Sequence, residues 1–201
     1  MEDAVEEIKQ HDFLSEYGRF DYYITKEPGG SGTRDAIEDI IRADNNLCKP
    51  SELLLFMADR AQHINNISRL LQEGDGNIVF TDRFWESTLV YQGLVQNILD
   101  PEKLIEIHEE LIGVKPDYGL MVNSAVNHNL TPDCKEEEDC MGSLTLDKRV
   151  EFVNAYEQIA RLVEYHVDRI DTTDGDWEFH REEMVKYLTT FIKLEMGVYD
   201  F

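Results

Sequence analysis

The 201-residue chain carries 42 Asp and Glu against 19 Lys and Arg, a formal charge of −23, with an ordinary hydrophobic fraction of 42%. That length supports one domain with a real core, and that charge argues against general affinity for nucleic acid, because polyanion binding needs basic surface. A nucleotide pocket is not excluded, since a few placed arginines suffice, and the acid excess fits either an ordinary acidic protein or adaptation to high salt, where repulsion is screened.

The longest apolar run, Leu53 to Ala58, is far short of the ~20 residues of a membrane span, so no membrane partner is expected. The acidic, amphipathic start, Met1-Glu2-Asp3-Ala4-Val5, is unlike a signal peptide. Three cysteines imply no disulfide framework, and a cytoplasmic location is expected.

Residues 2–15 read as an amphipathic helix with Val5, Ile8 and Leu14 inward. Phe20 to Thr25 reads as a short strand, and Lys26 to Gly32 as a loop by its Pro-Gly-Gly content. Ala36, Ile37, Ile40 and Ile41 mark a helix that ends in the turn-forming Asp44-Asn45-Asn46. Ser51 is placed to cap a long helix to about Glu73, with Leu54, Leu55, Ala58 and Ala61 on its inner side. A turn at 74–77 leads to a strand at 78–81. Asp100 and Pro101 form a cap and first position for a helix to about Ile112. Tyr118 to Val122 reads as a strand, 123–145 as an acidic loop or flap, and 146–165 as a helix. A strand at 167–170, a turn at 172–175 and a helix at 178–194 complete the chain. Strands alternate with helices, so the class is α/β with a mostly parallel sheet, and residues 1–201 read as a single domain. In such sheets ligands sit at the carboxyl ends of strands, where the Pro-Gly-Gly loop, Asp82-Arg83 and the flap are expected to share one rim.

An apolar strand ending in Asp82-Arg83 suits phosphate transfer, because arginine grips phosphoryl oxygens bidentately and a carboxylate manages a metal or a proton. A structural ion pair at the rim is the bland alternative. Glu27-Pro28-Gly29-Gly30 can bring bare backbone close to a ligand, or can simply be a tight strand-to-helix connection. Phe56, Asp59, Arg60 and His63 share one helix face. Phe56 and Arg60 suit a planar base; alternatively Phe56 is core and Arg60 is solvated and paired with Asp59. Ser87, Thr88, Tyr91 and Gln92 follow Arg83 at roughly helical spacing and gain interest from that proximity. Cys134, Cys140 and His128 match no strong zinc spacing and offer too few ligands.

Several of these segments resemble the thymidylate kinase family. Lys26-Glu27-Pro28-Gly29-Gly30 is similar to its Arg-Glu-Pro-Gly-Gly loop. Leu54 to His63 is similar to its Leu-Leu-Phe-x-Ala-Asp-Arg-x-Gln-His helix. Asp82-Arg83-Phe84 with Ser87, Tyr91, Gln92 and Gly93 resembles its Asp-Arg-Tyr segment, and Lys115-Pro116-Asp117 its Lys-Pro-Asp. The resemblance implies a P-loop kinase-like three-layer sandwich that transfers the γ-phosphoryl group of ATP to dTMP, with Mg²⁺. It implies Phe56 stacking on thymine, Arg60 and Gln92 bonding the base, and Tyr91 against the deoxyribose. It further implies that Arg83 holds the acceptor phosphate, that Asp82 acts near the metal, and that the 27–30 loop borders that phosphate. A homodimer follows from the same resemblance.

The chain departs from that pattern in three places. It contains no Gly-x-x-x-x-Gly-Lys-Ser/Thr. In the family that P-loop and its strand precede the first helix, and the strand is central, between those at 77–81 and 118–123. Its absence predicts two half-sheets, and the expectation is an N-terminally truncated or mis-started kinase. Residues 124–143 lack the arginines of a kinase lid, which leaves Lys148 and Arg149 as the nearest cations for ATP. Lys26 replaces an arginine and forfeits a bidentate contact. The alternative reading is an inactive kinase fold that binds a nucleoside monophosphate or a partner, and a third keeps the enzyme with another deoxynucleotide acceptor.

Overall fold

The computed structural model describes residues 2–9, 21–29, 34–43, 47–73, 76–123, 146–172 and 176–195. They group into two compact units, Met1–Lys115 and Pro116–Phe201. Among the described residues the strands form two separate parallel pairs, which is the two-half-sheet arrangement expected from sequence.

The first unit begins with helix α1, Glu2–Lys9, which buries Val5 and Ile8 completely. Leu14, the third inward residue expected, lies outside the described residues. Strand β1, Asp21–Lys26, runs parallel to β2, Asn77–Asp82, in the register Asp21 to Asn77 through Lys26 to Asp82. β1 is shifted one residue from the predicted Phe20–Thr25, and β2 runs one residue longer at each end than the predicted 78–81. The Tyr22 and Phe80 rings stack at 6.2 Å on this pair. Glu27 N donates to Asp82 O at 2.9 Å, so the ladder continues into the loop that follows β1.

Helix α2 covers Arg34–Ala43 and helix α3 covers Lys49–Gln72. The start of α3 differs from expectation. Its N-cap is Cys48, and Pro50 fills the first turn, where an N–H would have no helical partner anyway. Ser51 lies inside that turn, its hydroxyl 3.0 Å from the Cys48 sulfur. The inward face also differs. Leu54 is 65% exposed and Ala58 and Ala61 are exposed, whereas Leu53, Asp59, Arg60, His63, Ile64 and Ile67 are buried. An unbroken apolar run from 53 to 58 has no period and cannot say which side faces inward. Polar partners on another segment decide it.

Helix α4, Trp85–Thr88, passes into a π-helical turn, Leu89–Val95, seen in the bond from Gln96 N to Tyr91 O at 2.8 Å. Such wide turns recur at functional sites. Helix α5, Pro101–Leu111, starts as predicted: Asp100 Oδ1 accepts from Glu102 N at 3.0 Å, with Pro101 in the first turn. Gly113 closes it at φ 73, a left-handed conformation that glycine adopts without strain. Phe84, Trp85, Leu89, Val90 and Leu104 are all buried and form much of this unit's core.

In the second unit β3, Tyr118–Asn123, pairs in parallel with β4, His166–Asp171. Helix α6, Leu146–Leu162, ends three residues earlier than predicted, and helix α7 covers Trp177–Glu195. Phe152, Ala155, Ile159, Val163, Ile170, Val185 and Ile192 are buried. Tyr118 stacks on Phe191 at 4.5 Å and donates from Oη to Asp168 Oδ2 at 2.6 Å. Burial, with that acceptor, pushes its phenol well above the ordinary tyrosine range. Among the described residues no helix is long and apolar enough to cross a membrane. The flap with His128, Cys134 and Cys140 lies outside the described residues.

Candidate functional site

The carboxyl edge of the β1–β2 pair carries the sharpest chemistry of the first unit. β1 ends at Lys26 opposite Asp82, and Glu27, Pro28 and Gly29 turn away from it through a cis Glu27–Pro28 peptide. Gly29 sits at φ 120, where a side chain would be strained. Its amide donates to Asp59 Oδ2 at 3.1 Å, which ties the loop to α3.

Glu27 is the hub. Its side chain is buried, and its two oxygens have different partners on α3. Oε2 accepts from Arg60 Nε at 2.6 Å, and Oε1 lies 2.9 Å from His63 Nδ1. A buried carboxylate survives because it is paired and hydrogen-bonded on both sides. Arg60 spends its remaining edge on the segment after β2, donating from Nη1 to Thr88 Oγ1 at 2.8 Å and from Nη2 to Phe84 O at 3.2 Å. The guanidinium also lies 5.8 Å from the Phe84 ring centre. One arginine therefore joins the loop after β1, the long helix and the start of α4. The bland alternative for Arg60, a solvated residue paired with Asp59, does not hold, because the side chain is buried against Glu27.

Asp82 and Arg83 remain exposed at the end of β2. Arg83 takes φ 66, a left-handed conformation uncommon outside glycine, and Thr81 Oγ1 donates to its carbonyl at 2.7 Å. Non-glycine residues held there cluster at ligand clamps, where the surroundings sustain the strain. Phe56, Ser87 and Tyr91 keep part of their surface open, while Thr88 and Gln92 are buried. Gln92 Nε2 donates to Glu52 Oε1 at 3.2 Å. Pro28 is exposed, and Gly30 lies outside the described residues. Lys148 and Arg149 belong to α6 of the second unit, where Lys148 Nζ donates to Glu151 Oε2 at 2.6 Å.

Sequence reasoning missed Thr25, Glu52, Phe84, Glu86 and His108 as parts of this network. Glu86 keeps some exposed surface, yet burial of its carboxyl pushes it up to about 7, against the lowering effect of Arg60. His108 donates from Nε2 to Val114 O at 3.0 Å and packs on Trp85 at 4.5 Å. Burial holds it below an ordinary histidine, so the ring stays neutral beside Arg60. For Glu86, an acid one turn from Arg83 was a usable signal; the others needed the tertiary partner.

The site's parts coincide with similarities along most of the chain. The family model described as Thymidylate kinase matches residues 7–182. A thymidylate kinase of Halothermothrix orenii is 31% identical over 182 residues, covering 87% of this chain and 85% of the relative. A thymidylate kinase of Ehrlichia chaffeensis is 34% identical over 127 residues, 62% of this chain, and the chain spans only 61% of that relative's length. A crystal structure of thymidylate kinase from Ehrlichia chaffeensis matches at a TM-score of 0.64 and 24% identity, over 92% of this chain and 89% of that one. That likeness places the fold among the P-loop kinase α/β folds. The chain belongs to the thymidylate kinase family.

Proposed function

We propose that this protein is a nucleoside monophosphate kinase that transfers the γ-phosphoryl group of ATP to dTMP, giving dTDP. The observation that carries the reading is the buried Glu27–Arg60–Thr88 network. It locks the three segments that resemble the family's acceptor motifs around one sheet edge. Residues 1–201 act as one kinase-like domain in this reading, cytoplasmic and homodimeric, with residues 124–145 as its lid.

Phosphoryl transfer asks little covalent chemistry of the protein; positioning and charge neutralisation dominate. Arg83 is exposed at the end of β2 and offers a planar fork to the acceptor phosphate. Glu27 and Arg60 form the rigid wall beside it, and Pro28, Gly29 and Gly30 border the phosphate. Phe56 stacks on thymine, with a second Nη–H of Arg60 and the amide of Gln92 near the base. Tyr91 packs against the deoxyribose, with Ser87 and Thr88 on the same segment. Lys148 and Arg149 are the candidates for the phosphates of ATP.

Mg²⁺ is tested by the donor set. The ion keeps most of its waters and takes one or two carboxylates plus phosphate oxygens. Among the described residues no cluster of three or more acids, histidines or cysteines forms a cage. The single exposed carboxylate of Asp82 fits the open requirement, and it would hold the ion directly or through water. When bound, Mg²⁺ supplies charge neutralisation at the phosphate oxygens.

Calorimetric titration with dTMP, followed by ADP release with Mg-ATP and dTMP in low and high salt, tests the reading. Arg83→Ala is expected to weaken dTMP about 10- to 100-fold, from loss of charge-assisted hydrogen bonds. Phe56→Ala is expected to weaken base binding about tenfold, from loss of stacking. Unchanged affinity in both variants refutes the site. Binding without ADP release favours an inactive, nucleotide-binding kinase fold.

A further inference from the structure

His63 belongs to no part of the mechanism above, yet it is among the most deeply buried polar residues, at 2% exposure. Its ring bridges two elements. Nδ1 lies 2.9 Å from Glu27 Oε1 on the loop, and Nε2 lies 2.8 Å from Thr25 Oγ1 on β1. A carboxylate only accepts, so Nδ1 must carry the proton. Nε2 shares its bond with the Thr25 hydroxyl, which can donate or accept.

The consequence lies in how Glu27 meets Arg60. Arginine and carboxylate favour a two-pronged pair, with both oxygens on two guanidinium N–H groups. Here the carboxylate gives Arg60 only one oxygen, through Nε at 2.6 Å. The other oxygen is held by His63. That division leaves Nη1 and Nη2 of Arg60 to reach Thr88 and Phe84 O. Without His63, Glu27 is free to rotate and take both prongs, which draws the guanidinium off α4.

We propose that His63 is a positioning residue, a relay from Thr25 that keeps Glu27 single-pronged so that Arg60 spans the loop and α4. The role rests on the acceptor-site reading above. It acts through Glu27 and Arg60 and touches no reacting atom.

The full chain is tested with His63→Leu, His63→Gln and Thr25→Val. Leucine removes the donor and is expected to weaken dTMP binding about tenfold, the size of one unsatisfied buried acceptor. Glutamine donates through Nε2 and accepts through Oε1, so it is expected to restore most of that loss. Nitrogen-15 NMR of the wild type is expected to show Nδ1 protonated. Thr25→Val is expected to free Nε2 and loosen the ring, weakening dTMP binding, while Nδ1 stays protonated against Glu27. An Nε2–H tautomer in the wild type overturns the relay. So does a folded His63→Leu protein that binds dTMP as the wild type does. If His63→Leu fails to fold, Thr25→Val decides: unchanged dTMP affinity overturns the relay. A wild type that binds no dTMP sinks the acceptor reading, whereas the tautomer and the Arg60 Nε–H resonance still test the relay by themselves.

Discussion

Glu86 lies on α4, and its carboxyl is enclosed near both Arg60 and Glu27. Burial raises it from an ordinary 4.5 to about 7, and the nearby Glu27 charge adds to the rise. The folded protein therefore binds a proton that the unfolded chain has released between those two values. A stability contribution from this group is present in full below the unfolded value of 4.5 and is lost as pH rises toward about 7. Glu86→Gln removes that titration. Urea unfolding measured at intervals from pH 5 to 8 is expected to show a flatter profile in the variant, and an unchanged slope rules the assignment out. At the same scale Arg60 explains why a charged residue in a predicted base pocket is so deeply buried. Each side of its guanidinium has a protein partner, so its first duty is to hold Glu27, Thr88 and the Phe84 carbonyl together.

The elements show where small residues are required. Gly93 sits in the π-helical turn where α4 passes over the start of α5. A Cβ there meets Pro101 Cγ at 3.2 Å and Leu104 Cδ1 at 3.3 Å. Both neighbours are anchored, Pro101 by its place in a capped first turn and Leu104 by burial at 2% exposure. Gly93→Ala is therefore expected to cost about 1–3 kcal/mol by overpacking, read as a lower melting temperature. The same turn carries Tyr91 and Gln92, so the variant is also expected to weaken dTMP in the calorimetric titration. An alanine variant as stable as the wild type shows that the two helices can part without cost.

At the scale of the whole molecule, the charge of −23 dominates. Like charges repel in the compact state, and salt shortens their range from about 10 Å at ~0.1 M to about 3 Å at ~1 M. Melting temperature is expected to rise between those concentrations of KCl. A fall would show that paired surface charges, such as Lys148 with Glu151, matter more than the net repulsion. Long-range attraction of anionic substrates works against the same field, so binding of dTMP is expected to rely on local arginines, above all Arg83.

Much of this protein was legible in its sequence. The alternation of strands and helices, the cap at Asp100, the helical spacing of Val5 and Ile8, and the motif segments each carry a local signal: a period, a cap residue or a run of letters. Those signals need no distant partner. The α/β class, the two parallel strand pairs and the family follow from them. The inward face of α3 did not, because its apolar run is uniform and the choice depends on Glu27 and Gly29, about thirty positions away. Nor did the duties of His63, Thr25, Glu86 and His108, whose meaning comes from burial and from the atoms opposite them. Sequence by itself determined which segments carry the chemistry. Only the tertiary structure decided how one carboxylate is divided between an arginine and a histidine, because hydrogen bonding across distant segments is set by their packing.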